Sequence, residues 1–371
     1  MGDNRAIEAD EEYALRSLIV FAGAGASRGI SSEKYPMAID FKKRLPSEIT
    51  SNHLYLQLLH HLSTQGQDEA GVDIEHVLWE LGRLDDAIAE ITAPERLASY
   101  LLTSNQINII AQSQNHGPNF HAQLLALKAA SAKLQDDINE RVYELYSQPP
   151  RATELERSWL PLLRSSRVAS FDRVDIVTTN YDVVIESALI SMGDARVRMG
   201  LSQDLFPGVD LSAWRASDPS VGLLTKLHGS VDWKLGNGGT KSDPVIRRGH
   251  PEFDGDHKKR LILYPGFKGI PTREPFLAFH DYFRSRLREC SHVLFIGFAF
   301  RDQFINEIIV NNLQPACRIA VVNPAEKLPD HAFLQDAIHI RKGFGIPVNA
   351  LMHPVDGMSA ATEEEMTAWM Q

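Results

Sequence analysis

The residues of this chain best suited to chemistry directly follow short apolar stretches. An Asn-Tyr-Asp sequence, Asn180 to Asp182, comes after the apolar run at 174–177. Neighbouring amide and carboxylate groups can hold a hydroxyl, a carboxamide or a water through short directional hydrogen bonds. The same residue types also cap helices, so the sequence leaves a purely structural role for this pair open.

A histidine in the same kind of position is a candidate general base. His228 lies in the sequence LTKLHG, where an apolar strand is followed by histidine and glycine. The unperturbed pKa of histidine lies near neutral pH, so the side chain can gain and lose a proton during catalysis. A histidine held in the structure for packing reasons is the alternative.

A glycine-containing loop near the start of the chain is a candidate nucleotide site. The sequence from Leu18 to Ser27, LIVFAGAGAS, predicts an apolar strand that runs into this loop. Such a loop lets backbone N–H groups approach a pyrophosphate, so we expect the chain to bind a nucleotide. The loop lacks the third glycine of the dinucleotide fingerprint and the Lys of a P-loop, so a tight turn without a ligand is the alternative.

Two later strand ends carry further candidate contacts. Gly297 and Phe298 follow an apolar run, and an Arg-Asp pair after them could begin a helix. Asn323 follows the next apolar run. Because the carboxyl ends of parallel strands collect ligands in open α/β sheets, we expect all of these segments to lie at one edge of a sheet.

The elements that position these residues follow from the apolar patterning. Short apolar runs of the kind found in buried parallel strands occur at 175–179, 223–227, 260–264, 292–296, 318–322 and 337–341. Helical periodicity dominates the stretch after the first strand, with helices expected at 52–62, 73–81 and 119–147. The pattern predicts a single α/β domain over 1–371, a Rossmann-like doubly wound parallel sheet with a large helical insertion at about 45–165.

Composition excludes several classes of protein. The formal net charge of −10 argues against broad binding to nucleic acid or to anionic lipid. The two cysteines, Cys290 and Cys317, are too few for a disulfide framework or a four-cysteine zinc site. The chain begins with acidic and polar residues and has no stretch approaching 18 consecutive apolar residues, so we expect a cytoplasmic protein without membrane contact.

In this order, the glycine loop and the segments TTNYD, LHG, IGF and VNP make the chain resemble the sirtuin superfamily. The chain resembles more closely the bacterial sirtuin-like NAD hydrolases of anti-phage defence systems, over roughly 18–41 and 174–324. The resemblance implies NAD as the substrate, with Gly23, Ala24, Gly25 and Ser27 of the glycine loop at its pyrophosphate. It also implies that Asn180 and Asp182 lie near the nicotinamide ribose and carboxamide. It also implies that His228 lies against the ribose hydroxyls. The adenosine half is implied to contact Gly297, Phe298 and Asn323.

Two departures from the protein deacylases of this superfamily bear on the activity. Deacylases resemble one another in a zinc module with four cysteines, which two cysteines cannot build. They also continue the glycine loop as GIPxFR, whereas Gly29-Ile30 leads here into a polar stretch and no Arg directly follows Phe41. The resemblance therefore implies an NAD+ glycohydrolase that needs no metal, with Asn180, Asp182 and His228 as its catalytic residues.

The resemblance also implies how such an enzyme is controlled. Unregulated consumption of NAD is toxic, so we expect an NAD-depleting effector of anti-phage defence that assembly activates. A homo-oligomer is expected, with a partner ATPase or a short Argonaute-like protein as possible partners and no direct contact with nucleic acid. Two alternatives remain: a catalytically silent module that senses NAD or ADP-ribose, and an ADP-ribosyltransferase or deacylase.

Overall fold

The computed structural model describes most of the chain in separate ranges, namely residues 16–64, 72–92, 119–168, 171–193, 199–202, 208–209, 223–235, 245–247, 260–264 and 274–322. The predicted strand at 337–341 and the candidate ligand contact Asn323 lie outside these ranges.

The described strands and helices have the following bounds. In chain order the strands are β1 (Ser17–Ala22), β2 (Arg173–Thr178), β3 (Leu201–Ser202), β4 (Gly208–Val209), β5 (Leu223–Lys226), β6 (Gly229–Leu235), β7 (Val245–Arg247), β8 (Arg260–Ile262), β9 (His292–Ile296) and β10 (Arg318–Val322). The helices are α1 (Ala24–Arg28), α2 (Ala38–Phe41), a 3₁₀ turn (Lys42–Arg44), α3 (Ser47–Thr50), α4 (His53–Thr64), α5 (Ile74–Thr92), α6 (Phe120–Tyr146), α7 (Ala152–Glu156), α8 (Trp159–Val168), α9 (Val184–Ser191), α10 (Phe276–Glu289) and α11 (Gln303–Asn312).

A five-stranded parallel sheet with the strand order β10-β9-β1-β2-β5 organises the fold. The chain starts at the central strand, builds outward through β2 to β5 and then returns to the other side of β1. The order therefore reverses between β1 and β9, which is where open α/β sheets bind their ligands. This arrangement confirms the predicted Rossmann-like α/β fold.

Burial explains why the parallel strands were recognisable from their composition. Every residue of β1 and of β9 is buried, so both faces of these strands are covered. Parallel strands covered on both faces are expected to be apolar throughout, which is the pattern of the runs at 292–296 and 318–322. The predicted bounds of β9 and β10 match the structure.

The apolar run at 260–264 was assigned to the wrong kind of sheet. Its strand, β8, pairs antiparallel with β6, and β7 completes a separate three-stranded sheet. The turn into β6 needs glycine, because Gly229 has a φ of +81° and a Cβ there would lie 2.1 Å from the carbonyl oxygen of Leu261. A short apolar run by itself does not indicate which sheet a strand joins.

Helices α3 to α8 lie between β1 and β2, where the helical insertion was predicted. The longest, α6, was expected at 119–147 and spans Phe120–Tyr146. It buries Leu134, Ile138, Val142 and Tyr146, which repeat every four residues along one face. No helix within the described ranges is both long enough and apolar enough to cross a membrane.

Candidate active site

The loops that follow β1 and β9 touch each other at the carboxyl edge of the sheet. The N–H of Gly23 donates to the Ile296 carbonyl at 2.8 Å, and the N–H of Gly25 donates to the Gly297 carbonyl at 2.9 Å. Gly297 has a φ of +59°, and a Cβ there would lie 2.0 Å from the backbone nitrogen of Ala26. The glycines thus allow two backbones to approach at the switch point of the sheet.

This contact reduces the number of N–H groups in the glycine loop that could bind a phosphate. The N–H groups of Gly23 and Gly25 are already used by the fold, and the N–H of Ala26 donates to the Gly23 carbonyl at 3.0 Å. Ala24 is exposed at the first position of α1. The predicted pyrophosphate contact remains a prediction, and Ala24 is the loop residue best placed for it.

Asn180 joins the loop after β2 to the loop after β1. Its side-chain amide donates to the Gly23 carbonyl at 2.9 Å and to the Ser27 hydroxyl at 3.1 Å. Its backbone N–H donates to the Thr178 hydroxyl at 2.9 Å. The side chain is buried and does not cap a helix, so the helix-cap alternative does not apply to this residue. Its Oδ1 is the acceptor atom that this network does not use.

Asp182 lies two residues before the first residue of helix α9. Its Oδ1 accepts a hydrogen bond from the N–H of Val184 at 3.0 Å, and its carboxylate also receives the Ser27 hydroxyl. Burial raises the pKa of the Asp182 carboxyl, and the nearby Lys226 ammonium and these two hydrogen bonds oppose that rise. The N-cap of α9 is Val183 and no side chain caps this helix, so the bond from Val184 to Asp182 is a local turn contact that anchors the turn carrying Asn180.

The buried side chain of Lys226 contacts the Asn180–Asp182 turn. The Nζ of Lys226 lies 2.6 Å from the carboxylate of Glu186 and 2.9 Å from the hydroxyl of Ser230, and it also donates to the Asp182 carbonyl. Lys226 is 1 % exposed. Lys226 was not among the predicted site residues, although a lysine inside the apolar run LLTKL indicates a charge that needs a buried partner.

His228 pairs with a carboxylate from the opposite side of the sheet. Its Nε2 lies 3.3 Å from Oδ2 of Asp302, and the two side chains are 4 % and 10 % exposed. The other oxygen of Asp302 accepts from the N–H of Ile305 at 3.1 Å and so caps α11. A carboxylate beside Nε2 favours the tautomer protonated there, which leaves the lone pair on Nδ1.

The His228–Asp302 pair joins two loops at the carboxyl edge of the sheet. Strands β5 and β9 lie three places apart in the sheet, a separation of about 14 Å at the usual spacing between strands. The 3.3 Å contact between His228 and Asp302 therefore requires the loops after β5 and β9 to converge over the ends of β1 and β2. The sequence indicated a helix start at Asp302 but not its contact with the histidine.

A second histidine lies close to this pair. The Nδ1–H of His280 donates to the Phe276 carbonyl at 2.7 Å, which places the remaining lone pair on Nε2. That Nε2 is buried without a hydrogen-bond partner among the described residues. Burial lowers the pKa of His280 to about 4, and the charges of His228 and Asp302 act on it in opposite directions. His280 is therefore a neutral imidazole at neutral pH.

The late glycine segment contributes backbone and core to the site. The ring of Phe298 packs 4.7 Å from those of Phe21 and Phe300, measured between ring centroids. This side chain is buried in an aromatic cluster, whereas Gly297 forms the contact with the loop after β1. The adenosine contacts predicted for both residues remain predictions, and Asn323 lies outside the described ranges.

Comparison with known proteins finds one matching family model and several similar solved structures. Residues 174–316 match the family model of the SIR2-like domain. One similar solved structure is a Sir2 homologue in complex with NAD, at 11 % identity over 96 % of this chain and 88 % of that chain, with a TM-score of 0.39. Another is Sir2 bound to an acetylated peptide, at 11 % identity over 90 % and 95 % of the two chains, with a TM-score of 0.33. No curated protein sequence matches significantly.

The matched segment contains most of the candidate site. It includes Asn180, Asp182, His228 and Asp302, whereas the glycine loop after β1 precedes it. The family match confirms the resemblance that the motifs indicated. Residues 174–316 of this chain are therefore similar to the SIR2-like domain.

Proposed function

We propose that this protein is an NAD+ glycohydrolase, which cleaves the bond between nicotinamide and ribose. The observation that carries the proposal is the buried His228–Asp302 pair, at the sheet edge where Asn180 joins two loops. The SIR2-like family supports NAD as the substrate, and the switch point of the sheet offers the place for a nucleotide.

The proposed reaction moves the ribose carbon C1′ from the nicotinamide nitrogen to the oxygen of a water. The electron pair of the broken bond stays on the ring nitrogen and cancels the positive charge of nicotinamide. Positive charge develops on the ribose in the transition state, so groups that stabilise it or orient the water accelerate the step. The attacking water must also lose a proton.

In this proposal His228 receives that proton. With the Asp302 carboxylate beside Nε2, the lone pair on Nδ1 can accept a proton from the water or from a ribose hydroxyl. The same carboxylate stabilises the imidazolium that forms and holds the ring in one orientation. A general base of this kind contributes about 10²- to 10⁴-fold to the rate.

Asn180 and Asp182 have different parts in the proposal. The Asn180 amide nitrogen is used by Gly23 and Ser27, so its Oδ1 is the atom that orients the water or the ribose. The Asp182 carboxylate receives Val184 and Ser27, so its main part is to fix the turn that presents Asn180. The contact of Asp182 with the nicotinamide end that the resemblance implies is secondary to this anchoring.

The position of the cysteines favours hydrolysis over deacylation. Cys290 and Cys317 are the two cysteines of the chain, and their sulfur atoms lie 3.7 Å apart. Cys290 precedes β9 and Cys317 precedes β10, so both lie at the amino edge of the sheet, opposite the candidate site. Two thiols there do not supply the four ligands of a deacylase zinc module.

Control by assembly is part of the same proposal. Continuous hydrolysis would drain an NAD pool that many enzymes share, so the chain needs a state in which it is silent. A homo-oligomer, a partner ATPase or a short Argonaute-like protein could supply the active state in an NAD-depleting defence system. The proposal therefore includes activity that depends on assembly.

The experiment is NAD consumption by the purified chain, with the products separated by chromatography. The chain is assayed alone and with lysate from its source, and the His228→Ala variant is the control. Equal amounts of nicotinamide and ADP-ribose, absent in the variant, would support hydrolysis. Nicotinamide without free ADP-ribose would indicate transfer to another acceptor. Saturable NAD binding without any product in either condition would overturn the proposal in favour of a sensor.

A further inference from the structure

The last residue of helix α6 reaches the segment that follows the glycine loop. Tyr146 is 5 % exposed, and its hydroxyl donates to the carbonyl of Pro36 at 2.6 Å. Nearby, the hydroxyl of Tyr35 donates to the carbonyl of Gln148 at 2.7 Å. Two hydrogen bonds thus connect residues 35–36 to the end of the longest helix of the insertion.

The same tyrosine also contacts the turn that carries the candidate catalytic amide. The rings of Tyr146 and Tyr181 lie 5.0 Å apart at 81° to each other, an edge-to-face contact. A side-chain hydrogen bond joins the two residues as well. Tyr181 is the residue between Asn180 and Asp182, so Tyr146 lies against the middle of that turn.

A second residue of α6 extends this contact by two helical turns. Asn139 accepts a hydrogen bond from the hydroxyl of Tyr264 at 2.6 Å, and it lies on the same face of the helix as Tyr146. The ring of Tyr264 lies 6.2 Å from that of Tyr181 at 72°. Tyr181 is therefore held between the side chain of Tyr146 and that of Tyr264.

The turn passes this restraint on to the rest of the site. The carbonyl of Tyr181 accepts from the N–H of Val231 in β6, at 2.9 Å. The neighbouring Asn180 side chain bonds to Gly23 and Ser27 in the loop after β1. A displacement of Tyr181 would therefore change the position of Asn180 relative to the glycine loop.

We propose that Tyr146 is a positioning residue through which the helical insertion sets the spacing between residues 35–36 and the Asn180–Asp182 turn. The inference rests on the proposed function, because the turn matters through Asn180. Movement of α6, caused by a partner or by a second copy of the chain, would reach the site by this contact. Tyr146 itself contacts no reacting atom in this account.

The test is amide hydrogen exchange in the full chain, compared among variants. Tyr146→Phe keeps the ring and removes the hydroxyl, and Tyr146→Leu removes the edge-to-face contact as well. Leu134→Ala is the control, because Leu134 is buried on the same helix but three turns away. The reporters are the N–H groups of Asn180 and Val231, which bond to Thr178 and Tyr181.

We expect exchange at both reporters to become about 3- to 10-fold faster in Tyr146→Phe and faster still in Tyr146→Leu. The control should leave both reporters at the wild-type rate, even where its unfolding midpoint is lower. Unchanged exchange at both reporters in Tyr146→Leu would overturn the inference. Equal acceleration in the control would also overturn it, since that result would indicate general loss of stability.

Turnover separates this inference from the proposed function. If the wild-type chain hydrolyses NAD, Tyr146→Leu should lower kcat more than Leu134→Ala does. Tyr146→Phe should retain a higher kcat than Tyr146→Leu. If the wild-type chain does not hydrolyse NAD in any condition, the proposed function fails. The exchange rates then still decide whether Tyr146 restrains the turn.

Discussion

The carboxylate of Asp302 lies 3.3 Å from Nε2 of His228, although the two residues follow strands on opposite sides of β1. Each is fixed by a second interaction. Asp302 caps α11, and the carbonyl of His228 accepts from the N–H of Leu263 at 2.8 Å. Both members of the His228–Asp302 pair are therefore held in place by hydrogen bonds to the backbone.

Replacing Asp302 with asparagine should reduce turnover without unfolding the protein. Asparagine caps a helix about as well as aspartate, but it cannot stabilise an imidazolium. We expect kcat to fall about 10- to 100-fold with a smaller change in KM, and the free energy of unfolding to stay within about 0.5 kcal/mol. Asp302→Ala is the comparison, since it should also lose about 1 kcal/mol of capping energy. A wild-type kcat in Asp302→Asn would exclude the pairing from catalysis.

Gly297→Ala should be strongly destabilising because two costs combine. A Cβ at Gly297 would lie 2.0 Å from the nitrogen of Ala26, and its φ of +59° disfavours any L side chain. Gly193→Ala is the matched control, because Gly193 has a φ of +89° but nothing within 4 Å of the added Cβ. Urea unfolding should show about 1 to 2 kcal/mol lost in the control and clearly more in Gly297→Ala. Equal losses would show that the contact between the two loops is unimportant.

The buried pair of Lys226 and Glu186 should show strong coupling in a double-mutant cycle. Lys226→Met leaves a buried carboxylate without its cation, which typically costs about 3 to 5 kcal/mol. Glu186→Gln in the same chain removes that uncompensated charge, so the double variant should regain much of the stability. Chemical denaturation of the three variants gives the coupling energy. Additive losses would mean that the two side chains act independently.

The protein should become less stable as the pH falls below about 6.5, in part because of His280. Its pKa is lowered by burial from 6.5 to about 4, so between these values the unfolded chain binds a proton that the native protein does not. Native stability from this source is present above pH 6.5 and is lost as the pH falls towards 4, by about 2 kcal/mol at pH 5. The groups that face His280 are His228, Asp302 and Arg284.

His280→Phe should therefore lose less stability between pH 7 and pH 5 than the wild-type protein. His292→Phe provides a comparison, since burial also lowers the pKa of His292 to about 4 but this residue begins β9 at the far edge of the sheet. Urea midpoints at the two pH values give the result. An identical pH dependence in His280→Phe and wild type would show that His280 titrates normally.

Sequence alone predicted the parts of the fold that depend on local pattern. The bounds of β9, β10 and α6 were predicted to within about a residue. A strand buried on both faces is apolar throughout, and a helix buried along one face has apolar residues at helical spacing. The antiparallel pairing of β8 could not be predicted from such a pattern. An apolar strand of three residues has the same composition in either kind of sheet.

The candidate site was predicted only in part for the same reason. Asn180 and His228 were singled out as candidates because each lies two residues after the end of a strand. The pairing of His228 with Asp302 depends on how distant loops converge, which a linear pattern does not contain. The phosphate contacts of the loop after β1 stay a prediction, and the sequence did not indicate that Gly23 and Gly25 also pack this loop against the loop after β9.

The rate of NAD turnover in His228→Ala and in Asn180→Ala tests the central claim most directly. Both variants should keep the unfolding midpoint of the wild-type protein to within a few degrees and should lose about 10²- to 10⁴-fold in kcat. The rates are compared under the condition in which the wild-type chain is active. Turnover at the wild-type rate in both folded variants would contradict the account, because hydrolysis would then have to occur elsewhere.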